Sequence, residues 1–105
     1  MQYPVAVYAE TPEEFRCLVE YARNFHERDG ERLWLDPPEK YYEQNMRRYG
    51  SSPPTIAFES RDYAGGWCYK DWYGERYSKI LACDFLEAVG HPMPTQVDVD
   101  VTDFL

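Results

Sequence analysis

The sequence predicts a single α+β domain over residues 1–105, with a mainly antiparallel sheet of about four to five strands and two main helices on one face. Three observations predict it. The length is that of one ordinary domain with one core. A helical period in the first half gives way, after Gly50, Ser51, Ser52, Pro53 and Pro54, to alternation. Strand and helix signals then follow the order β, α, α, β, β, β, short α, β, which fits helices packed on one side of a sheet.

Residues 3–9 are rich in β-branched and aromatic types and read as a first strand, with Pro4 tolerable near its start or on an edge. Thr11, Pro12 and Glu14 open a helix as N-cap, first helical residue and capping-box partner. Phe15, Leu18, Val19, Ala22 and Phe25 recur at helical spacing, while Glu13, Glu20, Arg23, Asn24 and Glu27 fall outside that stripe; Asp29 and Gly30 end it. Leu33, Trp34 and Leu35 fit a short strand or a loop plug. Asp36, Pro37 and Pro38 look like the cap and opening of a second helix over residues 38–49, where Tyr42, Met46 and Tyr49 stand at i, i+4 and i+7.

Residues 55–60 read as a strand, 61–66 as a turn and 66–70 as the hairpin partner. Residues 71–77 are a helical turn or loop, 78–82 a strand, and the segment from Cys83 a helix of one or two turns ended by Gly90. Two prolines make His91 to Gln96 an extended connector. Residues 97–101 alternate strictly, which predicts a strand with one acidic face.

Eleven basic against nineteen acidic side chains give a formal charge of −8, which repels nucleic-acid phosphates and anionic membranes and favours a basic partner. Cys17, Cys68 and Cys83 are odd in number and have no metal-ligand spacing, so reduced thiols in a cytoplasmic protein are expected, with no zinc site and no cofactor. The N-terminal residues show no signal-peptide pattern, and no run is long enough to span a membrane.

Gly66, Trp67, Tyr69, Tyr73, Tyr77, Ile80, Phe85 and Leu86 set a Gly-Trp strand before a tyrosine-rich loop, a further strand and a Phe-Leu helical turn. This pattern, over about a third of the chain, resembles small proteins of tailed bacteriophages. The resemblance implies a phage accessory product working in the host cytoplasm, and for that class engagement of a host or defence protein is commoner than chemistry.

Four constellations carry the functional reading. Asp98 and Asp100 would stand roughly 6.6–6.8 Å apart on one strand face, near the spacing of phosphates along a nucleic-acid strand. With Asp103 they fit either a DNA mimic or an edge strand kept soluble by acids. Arg47 and Arg48 beside Tyr41, Tyr42 and Tyr49, with Arg23, Arg28 and Arg32 earlier in sequence, supply guanidinium groups and rings for an anionic small molecule such as a signalling nucleotide, although no Gly-rich phosphate loop accompanies them; solvated helix faces explain the same residues. Trp67, Tyr69, Trp72, Tyr73 and Tyr77 are dense enough to supply anchors for a protein interface, or an aromatic-heavy hairpin core. His26 and His91 are the only imidazoles, and neither stands beside a catalytic motif.

The expected function is therefore non-enzymatic binding of a host or defence protein, a class that includes basic nucleic-acid-binding proteins, through Trp67, Tyr69, Trp72, Tyr73, Asp98 and Asp100. The alternatives are a sponge for an anionic small molecule using Arg47, Arg48, Tyr42 and Tyr49, and a structural or assembly protein, most simply a two-fold homodimer through exposed strand edges.

Overall fold

The computed structural model describes residues 1–26, 37–61 and 63–92, the side chains of Phe25 and His26 excepted. Among them are four strands, β1 (Val5–Tyr8), β2 (Pro54–Ser60), β3 (Tyr63–Tyr69) and β4 (Ser78–Leu81), and three helices, α1 (Pro12–His26), α2 (Pro38–Tyr49) and α3 (Ala82–Val89). The expected α+β class holds. The expected strand at residues 97–101, the segment Leu33 to Leu35, the Asp36 cap and the Asp29–Gly30 stop lie outside the described residues.

The α1 start forms as its sequence dictates. Thr11 Oγ1 accepts the Glu14 amide at 3.1 Å, and Glu14 Oε1 accepts the Glu10 amide at 2.9 Å, so two amides with no partner inside the helix are satisfied. Phe15, Leu18, Val19 and Ala22 are fully buried as the stripe requires, and Cys17 and Tyr21 widen it. Gly90 ends α3 in the left-handed conformation, and the backbone of Gly90 and His91 caps the carbonyls of Glu87 and Leu86.

The sheet runs in the order β3-β2-β1-β4. Val5 pairs with Phe58 and Val7 with Ile56, and these four side chains join Phe15, Leu18, Phe85 and Leu86 in the core. Phe58 stacks on Phe85 with ring centroids 4.8 Å apart, and Tyr21 packs on both rings. Each ring buried this way stabilises the fold by about 1.5–3 kcal/mol, which makes the contact between the helices and this face of the sheet the main source of stability.

The sheet is mainly antiparallel as expected but not wholly so, because β4 pairs with β1 in parallel. β3 and β4 stand at opposite edges and run the same way, so a hairpin cannot join them and the chain must travel back across the sheet. It does so with only residues 70–77. Three strand spacings and a four-residue return along the strands require roughly 20 Å, which eight residues, reaching at most about 26–29 Å, can span.

The crossing lies on the face opposite the helices. Lys70 Nζ sits 4.1 Å from the centroid of the Tyr8 ring, and Lys79 Nζ donates to the carbonyls of Gly74 at 3.1 Å and Tyr77 at 3.3 Å. Tyr77 donates its hydroxyl to Glu59 Oε2 at 2.6 Å, and Arg76 reaches Glu59 Oε1 at 3.0 Å. Beneath the connection the sheet presents a row of small residues, Ala6 paired with Ala57 and Ala57 with Gly66. Ala6 and Ala57 are buried although the helices pack on the other side. Large side chains there would lift the connection off the sheet.

Residues 63–66, expected as a turn, form the first half of β3 instead. Ser60 pairs with Tyr63, so the hairpin closes sooner, and the pairing shifts between Ala57 and Phe58 to leave Gly65 as an extra residue. Gly66 absorbs the distortion at φ +147°, a conformation that side-chain-bearing residues rarely adopt. Among the described residues no helix is long and apolar enough to cross a membrane.

Ala57→Leu, which adds three carbons beneath the crossing connection, is expected to destabilise the domain by about 1–3 kcal/mol in urea denaturation. An unchanged midpoint would mean that residues 70–77 do not press on that face.

Candidate aromatic cleft

α2 lies along α1 near the β3 edge, and the gap between α2 and β3 is the candidate site. Phe15 sets it: its buried ring meets Tyr42 of α2 at 6.4 Å and Trp67 of β3 at 6.2 Å. Arg16 adds an exposed ion pair from α1 to Glu39 of α2 at 3.3 Å, a contact worth at most about 1 kcal/mol. Apolar packing therefore fixes the helix, with charge as a minor guide.

The cleft has a volume of about 350 Å³. Four rings line it, Tyr41 and Tyr49 from α2 and Trp67 and Tyr69 from β3, together with Gln44, Asn45, Arg48 and Cys68. Tyr49 stacks on Tyr69 with centroids 3.9 Å apart, and Tyr41 stands edge-on to Trp67 at 6.2 Å. The Arg48 guanidinium carbon lies 5.6 Å from the Tyr49 ring centroid, a cation–π arrangement that holds the charge at the cleft.

A ridge of rings continues from the cleft to solvent. The indole of Trp72, carried on the 3₁₀ turn Lys70–Trp72, meets Tyr69 edge-on at 6.3 Å and is 65% exposed. A chain of short hydrogen bonds anchors that turn to the end of α2. Asn45 Nδ2 donates to the Ser52 carbonyl at 2.8 Å, Ser52 Oγ accepts the Asp71 amide at 2.9 Å, and the Lys70 amide donates to the Pro53 carbonyl at 2.8 Å. The exposed indole therefore rests on an ordered base.

The two residue sets that the sequence kept apart meet here. Trp67 and Tyr69 line the same cleft as Arg48 and Tyr49, with Trp72 at its lip. Arg47 is exposed and does not line the cleft, since consecutive helical residues point about 100° apart. Tyr42 lies on the neighbouring face of α2, donating its hydroxyl to the Glu10 carbonyl at 2.9 Å, and lines a second cavity of about 410 Å³ with Met46, Tyr8 and Lys70. Tyr73 belongs to the crossing connection, edge-on to Tyr77 at 5.1 Å. Asp98 and Asp100 lie outside the described residues.

Sequence reading set Tyr41 beside the arginines but missed Asn45. The spacing of Tyr41, Asn45 and Arg48, at i, i+4 and i+7, is the signal that could have found it, since it defines a helix stripe beside the one through Tyr42 and Met46.

Cys17, Cys83 and His91 do not line the cleft, while Cys68 does. Burial pushes the Cys17 thiol above its ordinary value, and burial followed by Glu14 and Asp84 does the same for Cys83. Raised thiols are less ionised and so weaker nucleophiles. The His91 ring packs edge-on against Tyr21 at 5.5 Å. Among the described residues no three His, Cys, Asp or Glu side chains converge as a metal site would require.

Comparison of the chain with protein-family models, with curated proteins and with solved structures returned no match.

Two phenols give the crossing connection a pH signature. Burial, then the proximity of Cys68 and Tyr77, pushes Tyr73 well above the ordinary tyrosine value, and the hydrogen bond to Glu59 is the chief cause that raises Tyr77. The folded chain holds these protons more tightly than the unfolded chain, so the stability they contribute is full below about pH 10 and is lost as pH rises above it. The double variant Tyr73→Phe/Tyr77→Phe is expected to lose less unfolding free energy than the wild type between about pH 9 and 11. Equal slopes in denaturation curves across that window would contradict the assignment.

Proposed function

We propose that the chain is a non-enzymatic binding protein, phage-encoded, that engages a host or defence protein through the aromatic ridge of Trp72, Tyr69 and Tyr49. One observation carries the reading: an indole left 65% exposed at the end of a ladder of packed rings. Exposing a large apolar surface to water is unfavourable, and an indole whose base is already ordered loses little further freedom when a partner covers it. Trp and Tyr in that setting are the usual anchors of protein interfaces.

The charge of −8 supports a basic partner, including one whose ordinary ligand is nucleic acid. Asp71, on the same turn as Trp72, places an exposed carboxylate next to the ridge. Burial keeps the Cys17 and Cys83 thiols in their less nucleophilic protonated form.

A second reading, capture of an anionic small molecule, is favoured by a different observation. Arg48 brings a guanidinium to a cleft otherwise lined by rings and amides, so the chain carries a local cation within an anionic whole.

Trp72→Ala is expected to weaken binding of a purified partner, first identified by affinity capture from host lysate, by about 30-fold or more, the effect of losing a strong interface anchor. Stability should stay within about 0.5 kcal/mol of the wild type, as for other exposed positions. Unchanged affinity, or loss of binding only in step with unfolding, would refute the ridge as the contact surface.

A further inference from the structure

Asn45 is buried, at 4% exposure, and lines the cleft between α2 and β3. A carboxamide offers two N–H donors and a carbonyl oxygen. One donor is used, on the Ser52 carbonyl at 2.8 Å. Among the described residues the second N–H and the carbonyl oxygen have no protein partner. A buried polar group left unpaired is costly, so an acceptor and a donor side by side in a cleft wall define what would complete it: a planar group carrying a donor next to an acceptor.

The rest of the lining narrows the class. Trp67, Tyr41, Tyr49 and Tyr69 offer ring surface, which suits a flat heterocycle. Arg48 offers a guanidinium, which suits a phosphate. A volume of about 350 Å³ falls at the lower end of the range of small-molecule sites, the size of a mononucleotide rather than a larger ligand. The −8 charge of the whole chain opposes the many phosphates of a nucleic-acid strand but leaves a single phosphate held by Arg48 tolerable.

We propose that this cleft binds a free nucleotide, its base lying against the aromatic lining with a hydrogen-bonding edge on the Asn45 carboxamide and its phosphate on Arg48. This rests on the small-anion reading above and names its ligand. The Watson–Crick edge of each common base sets a donor beside an acceptor, the complement of a carboxamide, while a plain phenyl ring does not.

The experiment is isothermal titration of the full chain with AMP, GMP, CMP and UMP, alongside phenyl phosphate, which keeps ring and phosphate without the edge, and ribose 5-phosphate, which lacks the base. At least one nucleotide is expected to bind about tenfold or more tighter than both controls. Asn45→Ala is expected to abolish that preference while leaving phenyl phosphate unchanged, and Arg48→Ala to weaken every phosphate. Because Asn45 also holds Ser52, the wild-type comparison decides the matter should the alanine variant fail to fold. Nucleotides binding no better than phenyl phosphate would overturn the base-recognition proposal and leave the small-anion reading standing. No heat from any of the six would overturn both, and the ridge would remain as a surface for protein alone.

Discussion

The packing of the Phe15 ring between Tyr42 and Trp67 is the contact on which the geometry of the site depends. Phe15 follows the Thr11 cap on the first turn of α1 and is buried completely, so its position is set by the helix start and by the core together. α2 approaches β3 only as closely as that ring allows. Every feature of the cleft follows from the spacing: the Tyr49–Tyr69 stack, the edge of Tyr41 on Trp67, and the placement of Arg48.

The crossing connection supplies the second constraint. Residues 70–77 join opposite edges of the sheet, and their first residues form the turn that carries Trp72. The small row Ala6, Ala57 and Gly66 lets the chain pass close to the sheet, and Glu59 anchors its far end through Tyr77 and Arg76. Trp72 is thus held from two sides, by the crossing connection beyond it and by the Asn45–Ser52–Asp71 hydrogen bonds behind it. An exposed indole so constrained is preorganised for contact in a way that a ring on a free loop is not.

Local signals were legible in the sequence, and pairings between distant segments were not. The Thr11–Pro12–Glu14 opening, the α1 stripe from Phe15 to Ala22, the bounds of α2 and the Gly90 stop all depend on neighbours within a few residues, and each formed as expected. The parallel pairing of β1 with β4 depends on contacts about 73 residues apart, and no local period encodes it. Residues 63–66 of the turn expected at 61–66 became strand because pairing with β2 outweighed the two glycines, a tertiary preference overriding a local one. At the site, Trp67, Tyr69 and Trp72 stood out as ring-rich sequence and Arg48 and Tyr49 as a basic-aromatic pair, yet only the packing of α2 beside β3 makes them one surface. Asn45 is a polar residue with nothing unusual about it in sequence; its burial comes from Ser52, whose carbonyl takes up its donor.

A cleft whose width is set by one buried ring can be tested by changing that ring and watching the walls. Nuclear Overhauser contacts between Tyr41 and Trp67, and between Tyr49 and Tyr69, report the separation of α2 from β3, while contacts between Val7 and Ile56 report the sheet itself. In Phe15→Leu, which keeps the position apolar but removes the ring, the first two sets should weaken or vanish while the Val7–Ile56 contacts persist. Inter-ring contacts unchanged in a folded Phe15→Leu protein would show that something other than this ring holds α2 at its distance from β3.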